Sequence, residues 1–287
     1  MSTRPLGVVG GSGLYRMAGL EGAREESVRT PFGEPSDAFI AGTLKGRPIV
    51  FLARHGRGHR LLPTEINFRA NICGFKMLGA ERIVSISAVG SMREELRPLD
   101  VVLPDQFIDW TRQRPSTFFG GGAVAHVAFA QPVCPDLRGV LAAAAQGVAR
   151  RLHDGGTYLC MEGPQFSTRA ESLLYRAWGI DVIGMTNAQE AKLAREAEIC
   201  YATLAMVTDY DCWREGEEAV TVEEVVARLD ENAAVAQSIV ARALERLVEA
   251  RPCACATALK NAILTDRARI PTETRERLRP IAGRYLD

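Results

Sequence analysis

The chain carries no net charge: over 287 residues, 35 Lys and Arg balance 35 Asp and Glu. That absence argues against a nucleic-acid scaffold, which needs a basic excess to displace counterions from phosphates. Long apolar runs are missing as well. The longest uncharged stretch, from Pro115 to Pro135, contains Gly120-Gly121-Gly122, His126 and Gln131, so it reads as a loop and not a membrane span. Glycines interrupt the apolar run after Arg4 and Arg16 closes it, so no secretory leader is expected. Histidine is scarce, with four in the whole chain. The seven cysteines are odd in number and scattered, which excludes a simple disulfide framework and suits reduced thiols in a cytoplasm. Cys253-Ala254-Cys255 fits neither the usual zinc spacing nor the redox C-x-x-C pattern. It is read as two incidental thiols, with a local or intersubunit disulfide as the alternative. No metal and no cofactor are expected.

What is present is ordinary globular material, 47% hydrophobic and 24% charged. Short β-branched runs alternate with helical segments. Predicted strands are Leu6–Val9, Ile49–Ala53, Arg82–Ala88, Val101–Leu103, Thr157–Met161, Val182–Met185 and Cys200–Thr208. Predicted helices are Glu65–Leu78, Leu137–Arg150, Arg169–Trp178, Ala188–Ala197 and Val222–Ala250. This alternation implies a layered α/β fold whose central sheet is mostly parallel and covered by helices. No repeat or linker divides the chain. Residues 1–251 are expected to form one α/β domain, and 252–287 a C-terminal helical extension packed on it.

Several strand ends carry polar chemistry. The first ends in Gly10-Gly11-Ser12-Gly13, a turn whose free N–H groups and hydroxyl suit an anion. Neither the G-x-S-x-G nucleophile elbow nor the G-x-G-x-x-G fingerprint fits, because Leu14 and Arg16 stand where glycines are needed. The second strand runs into Arg54 and His55, and half the histidines of the chain lie in Ala53–His59. Arginine is suited to bidentate phosphate contact. The third ends in Ser85-Ile86-Ser87-Ala88-Val89-Gly90-Ser91, again rich in small hydroxylated residues. Ligands of α/β folds gather at the carboxyl ends of strands, so the three together suggest a phosphate site without Walker A. Further along, Phe166 lies in the loop Glu162–Thr168, placed to stack on a flat base. Asp209 and Asp211 follow an apolar strand, where burial raises a carboxyl pKa and fits it for general acid work.

These segments, in this order, resemble the trimeric purine nucleoside phosphorylase family, specifically its 5′-methylthioadenosine phosphorylase branch. The resemblance rests on Gly10–Leu14, Thr30-Pro31-Phe32-Gly33, Ala53–His59, Gln106-Phe107-Ile108-Asp109, Glu162–Ser172 and Thr208–Trp213, and it extends from about Leu6 to about Leu247. It implies a single-domain layered α/β fold with a mixed, mostly parallel sheet flanked by helices. It implies phosphorolysis, with inorganic phosphate as co-substrate and no other cofactor. By resemblance, Ser12, Arg54, His55, Ser87, Ala88 and Thr186 hold phosphate, and Asp209 and His55 are catalytic. Phe166, Ser167, Met185, Asp209 and Asp211 meet the nucleoside. Val222, Val225 and Val226 face an apolar 5′ substituent, and His126 is lent across a subunit interface. A homotrimer or dimer of trimers is implied. Aspartate at 209 favours a 6-aminopurine, with a 6-oxopurine nucleoside or methylthioinosine as the alternative substrate.

Overall fold

A computed structural model describes residues 4–11, 17–214 and 222–286. The side chains of residues 222–227 and 229 lie outside the described residues, as does Ser12. An eleven-stranded sheet forms the centre. In chain order its strands are β1 (Leu6–Gly10), β2 (Glu21–Glu26), β3 (Phe39–Leu44), β4 (Arg47–Ala53), β5 (Arg82–Ser91), β6 (Val101–Leu103), β7 (Gln106–Trp110), β8 (Leu152–Asp154), β9 (Thr157–Met161), β10 (Val182–Gly184) and β11 (Cys200–Asp209). The helices are α1 (Phe68–Met77), α2 (Pro135–Ala145), α3 (Arg169–Ala177), α4 (Asn187–Glu196), α5 (Val222–Arg246) and α6 (Thr272–Leu286). The sheet is mixed and mostly parallel, as the sequence predicts.

Alternation along the strands splits the core into two faces. Leu6 and Val8 of β1 pack in a cluster with Leu137 and Leu141 of α2 and Ile239 and Val240 of α5. Val9 points the other way, into a cluster with Phe75 of α1, Leu193 of α4 and Leu278 of α6. The C-terminal helix therefore shares the core of the sheet's helical cover. Strands β2, β3, β7 and β8 escape the sequence pattern. β2, Glu-Gly-Ala-Arg-Glu-Glu, is exposed along most of its length, so backbone pairing to β3 holds it rather than burial.

One strand sets up the site. The amino-terminal half of β5 pairs with β1, from Leu6↔Arg82 to Val9↔Ser85. Its far end pairs antiparallel with β10, through Ile183↔Gly90 and Val182↔Ser91. On its other side β11 runs parallel to it from Cys200↔Arg82 to Val207↔Val89. Residues 86–89 thus lose their ladder partner on one side, where β1 has ended and β10 has not begun. A change of partner within one strand opens a notch, as at the switch point of doubly wound sheets.

Candidate active site

The notch gathers the ends of β4, β1 and β10. Because Gly10 pairs with Ala53 and Val9 with Ser85, the chain leaves β4 at Arg54 and β1 at Gly11 close to the level of Ser87. Ala88 is exposed although its strand neighbours Ser87 and Val89 are buried, so it faces the opening. Beyond β10, the chain brings Met185 and the buried Thr186 towards the same stretch of β5.

Below this layer lies a buried polar network. The Arg54 guanidinium is 2% exposed and pairs with Glu190 of α4, with Nε to Oε1 at 2.6 Å and Nη2 to Oε2 at 3.2 Å. It also donates to Ser85 Oγ at 2.6 Å and to the Ile86 carbonyl at 3.0 Å. Glu190 in turn accepts from Ser85 Oγ at 2.9 Å and Tyr201 Oη at 2.8 Å. Each guanidinium nitrogen of Arg54 has at least one acceptor in this cluster, as burial demands. Arg54 is therefore mostly engaged from beneath, and among the described residues only one Nη1 N–H is left over for a ligand above. Asn187 extends the network by donating to Thr203 Oγ1 at 2.6 Å.

His55 is also constrained. Its Nδ1 lies 2.9 Å from the Leu61 carbonyl, an acceptor, so Nδ1 carries the proton and Nε2 keeps its lone pair. Burial pushes its pKa down to about 4, and the neighbouring Arg54 charge adds to the effect. The imidazole is neutral at pH 7 and acts as an acceptor. This has a measurable consequence for stability. Unfolded, the ring takes up a proton near 6.5; folded, it does so only near 4. Between these values the unfolded chain binds more protons, so stability is fully present above pH 6.5 and declines as pH falls towards 4. His55→Asn keeps an N–H for Leu61 without titrating, and its melting temperature should fall less steeply across that interval. Equal slopes in both proteins would remove His55 as the source.

Ser87 Oγ lies 3.1 Å from Tyr158 Oη, which is buried among β7, β9 and β10. Tyr158 reaches this position only because residue 184 is glycine; a Cβ there would sit 1.9 Å from the phenol oxygen. Arg114, which the sequence reading did not single out, ties two neighbouring loops together. Its buried side chain donates to Glu162 Oε1 at 3.1 Å, to the carbonyls of Met185 and Glu162, and to Gln189 Oε1 at 3.3 Å. This single guanidinium joins the loop after β9 to the one after β10.

The other end of the notch is acidic. Asp209 pairs with Gly90 at a bulge in β11. Its Oδ1 accepts from the Asp211 N–H at 2.8 Å and its Oδ2 from Thr208 Oγ1 at 2.5 Å. Burial raises the pKa of Asp209 and of Asp211 despite these hydrogen bonds. Gly90 is required for the fit, since a Cβ there would lie 3.0 Å from Asp209 Oδ1. Thr168 caps α3 through a capping box with Glu171, and Ser167 just before it turns its Oγ towards Met161 Sδ at 3.9 Å. Phe166 is half exposed beside it.

Five of the predicted positions stand apart. Ser12 lies outside the described residues, and so do the side chains of Val222, Val225 and Val226, although α5 begins at Val222. His126 is exposed on the 115–134 loop, whose backbone pairs with the C-terminal segment through Ala125↔Ile263 and His126 N to the Ala262 carbonyl at 2.8 Å.

Comparison with known proteins gives a consistent picture. The phosphorylase superfamily profile matches residues 5–245. The S-methyl-5′-thioadenosine phosphorylase of Koribacter versatilis is 60% identical over 98% of this chain and 96% of its own. That of Geobacter sulfurreducens is 60% identical over 98% of this chain and 99% of its own. A crystal structure of methylthioadenosine phosphorylase from an antarctic soil metagenomic library superposes with a TM-score of 0.92 at 49% identity, covering 98% and 99% of the two chains. Methylthioadenosine phosphorylase from Schistosoma mansoni, in complex with adenine, gives 0.81 at 34% identity over 90% of this chain and 96% of its own.

Proposed function

This chain belongs to the phosphorylase superfamily, and on that premise we propose that its notch carries out the phosphorolysis of 5′-methylthioadenosine to adenine and 5-methylthioribose 1-phosphate. Relatives of nearly equal length and 60% identity bear that activity in their names. The products place it in purine and methionine salvage. The observation that carries the reading is Asp209, whose carboxyl pKa burial raises and which pairs with one end of a strand whose other polar groups suit an anion.

Inorganic phosphate would sit over Ser87 and Ala88, with Ser12, Thr186 and the spare Arg54 N–H as donors. His55 Nε2 would accept the proton-bearing oxygen of hydrogen phosphate, which orients a bare oxygen towards C1′. As that oxygen forms its bond to C1′, the C1′–N9 pair returns to the purine. The ribosyl centre becomes cation-like, and the adjacent phosphate charge stabilises it. Asp209 delivers its proton to N7 of the departing base, while its other oxygen accepts from the 6-amino group. Phe166 and Ser167 would line the base, Met185 the ribose, and Val222, Val225 and Val226 the methylthio group. His126, exposed in one subunit, is assigned to a neighbour's site in a homotrimer or dimer of trimers. Among the described residues no helix is long and apolar enough to cross a membrane, and we place the enzyme in the cytoplasm.

The test is phosphate-dependent release of base from methylthioadenosine and from inosine in parallel. Rapid adenine release that vanishes without phosphate is expected. A strong preference for inosine would favour the 6-oxopurine alternative.

A further inference from the structure

The Cys-Ala-Cys segment, dismissed from spacing alone, gains a different meaning in the fold. Cys134 immediately precedes α2, Cys200 opens β11, Cys253 precedes a 3₁₀ turn at Ala254–Thr257, and Cys255 lies within it. Their four sulfurs all lie within 4.8 Å of one another. The closest pair, Cys200 and Cys253, is 3.3 Å apart. A zinc–sulfur bond of about 2.3 Å in a tetrahedron puts sulfurs roughly 3.8 Å apart, inside this range. We propose that Cys134, Cys200, Cys253 and Cys255 form a mononuclear tetrathiolate site for zinc, which clamps the C-terminal segment to the sheet.

The spacing rule misled because it applies to two ligands on one knuckle. Here two ligands are supplied by the short turn, and the others come from positions far away in the chain. The surroundings suit a metal. Cys134, Cys200 and Cys255 are buried and Cys253 partly so, in a cluster with Leu137, Leu141, Leu244 and Leu247. Four thiols in such a pocket can offer each other only weak hydrogen bonds. A surface cavity lined by Arg82, Leu137, Arg251 and Pro252 also reaches Cys134, Cys200 and Cys253. It supplies an entry path, and its three arginines, Arg82, Arg246 and Arg251, outnumber its one acid, Asp136, which offsets the negative charge of a zinc tetrathiolate. Cys200 and Asp209 stand at opposite ends of β11. The site is therefore structural and takes no part in the reaction.

The experiment is metal analysis of the full-length protein, purified under reducing conditions from zinc-supplemented cells, with its intact mass. About one zinc per chain and a fully reduced polypeptide mass after metal removal are expected. Cobalt(II) added to the stripped protein should give the absorption of tetrahedral thiolate coordination. The double variant Cys253→Ser, Cys255→Ser should lose the metal and melt at a lower temperature, with phosphorolysis in the cold within roughly twofold of wild type. Should that variant not fold, the metal content of the wild type decides alone. A metal-free chain with four alkylatable thiols, a disulfide seen as lost hydrogens in the mass, or iron in place of zinc would each overturn the proposal.

Discussion

Asp209→Asn should lower the turnover of methylthioadenosine by about 10²–10⁴, the usual worth of one general acid. The argument is one of protons. Burial raises the pKa of the Asp209 carboxyl, which favours the protonated form that donates to N7 while its second oxygen accepts from the 6-amino group. Asparagine also has a donor and an acceptor, but its N–H is far too weak an acid to protonate a leaving purine. Its amide can instead donate both hydrogens, one to N7 and one to the O6 acceptor of a 6-oxopurine. The ratio of inosine to methylthioadenosine activity should therefore rise even as total activity falls. Steady-state kinetics on both nucleosides at saturating phosphate measure this directly. Asparagine is nearly isosteric, so the Thr208 and Gly90 contacts survive and the stability of the protein should change little. Unchanged kinetics on both substrates would remove Asp209 from the chemistry.

The second large effect is on stability. Glu190→Gln should destabilise the protein by about 3–5 kcal/mol, because it strands the Arg54 charge in the interior. Arg54 and Glu190 are each 2% exposed, so water cannot replace the lost partner. Equilibrium unfolding in denaturant provides the measurement. The paired replacement Arg54→Met, Glu190→Leu separates stability from function. It removes both charges at once and should recover most of the loss, yet the phosphate KM should stay raised because the floor of the anion site has changed. A Glu190→Gln cost below roughly 1 kcal/mol would mean that the pair is not the keystone the geometry makes it.

The two variants also mark where sequence reading succeeds and stops. Asp209 was legible because an apolar run ending in alternating acids is unusual, and its burial follows from the strand itself. The strands of the central layer were legible for the same reason, being continuous apolar runs. Glu190 was not, because it appears as one more acid in a helix rich in Glu, Lys and Arg; its partner is 136 residues away. A hint was available in Asn187 and Glu190, polar residues one helical turn apart on the face that also carries Ala191 and Ala194. Arg114 left no trace, since it sits in an irregular loop and its acceptors are mostly backbone carbonyls. Tyr158 could be found only through Gly184, whose missing side chain makes room for the phenol. The edge strand β2 was invisible because pairing to β3, not hydrophobicity, keeps it in place.

The partner change in β5 has a consequence for substrate choice. Ser87, assigned to phosphate, and Gly90, backing the acid assigned to the purine, are three residues apart on one extended strand. At about 3.3 Å per residue, some 10 Å of backbone separate the two stations. That length is held by the ladder to β11 along one flank and cannot stretch. On the assignments proposed above, the strand would work as a gauge block, admitting only molecules whose base and anomeric carbon fit between fixed stops. A homologue with one extra methylene between sugar and base would be out of gauge whatever its affinity for either end. Changes at the 5′ position lie off the gauge, and there the enzyme is free to vary.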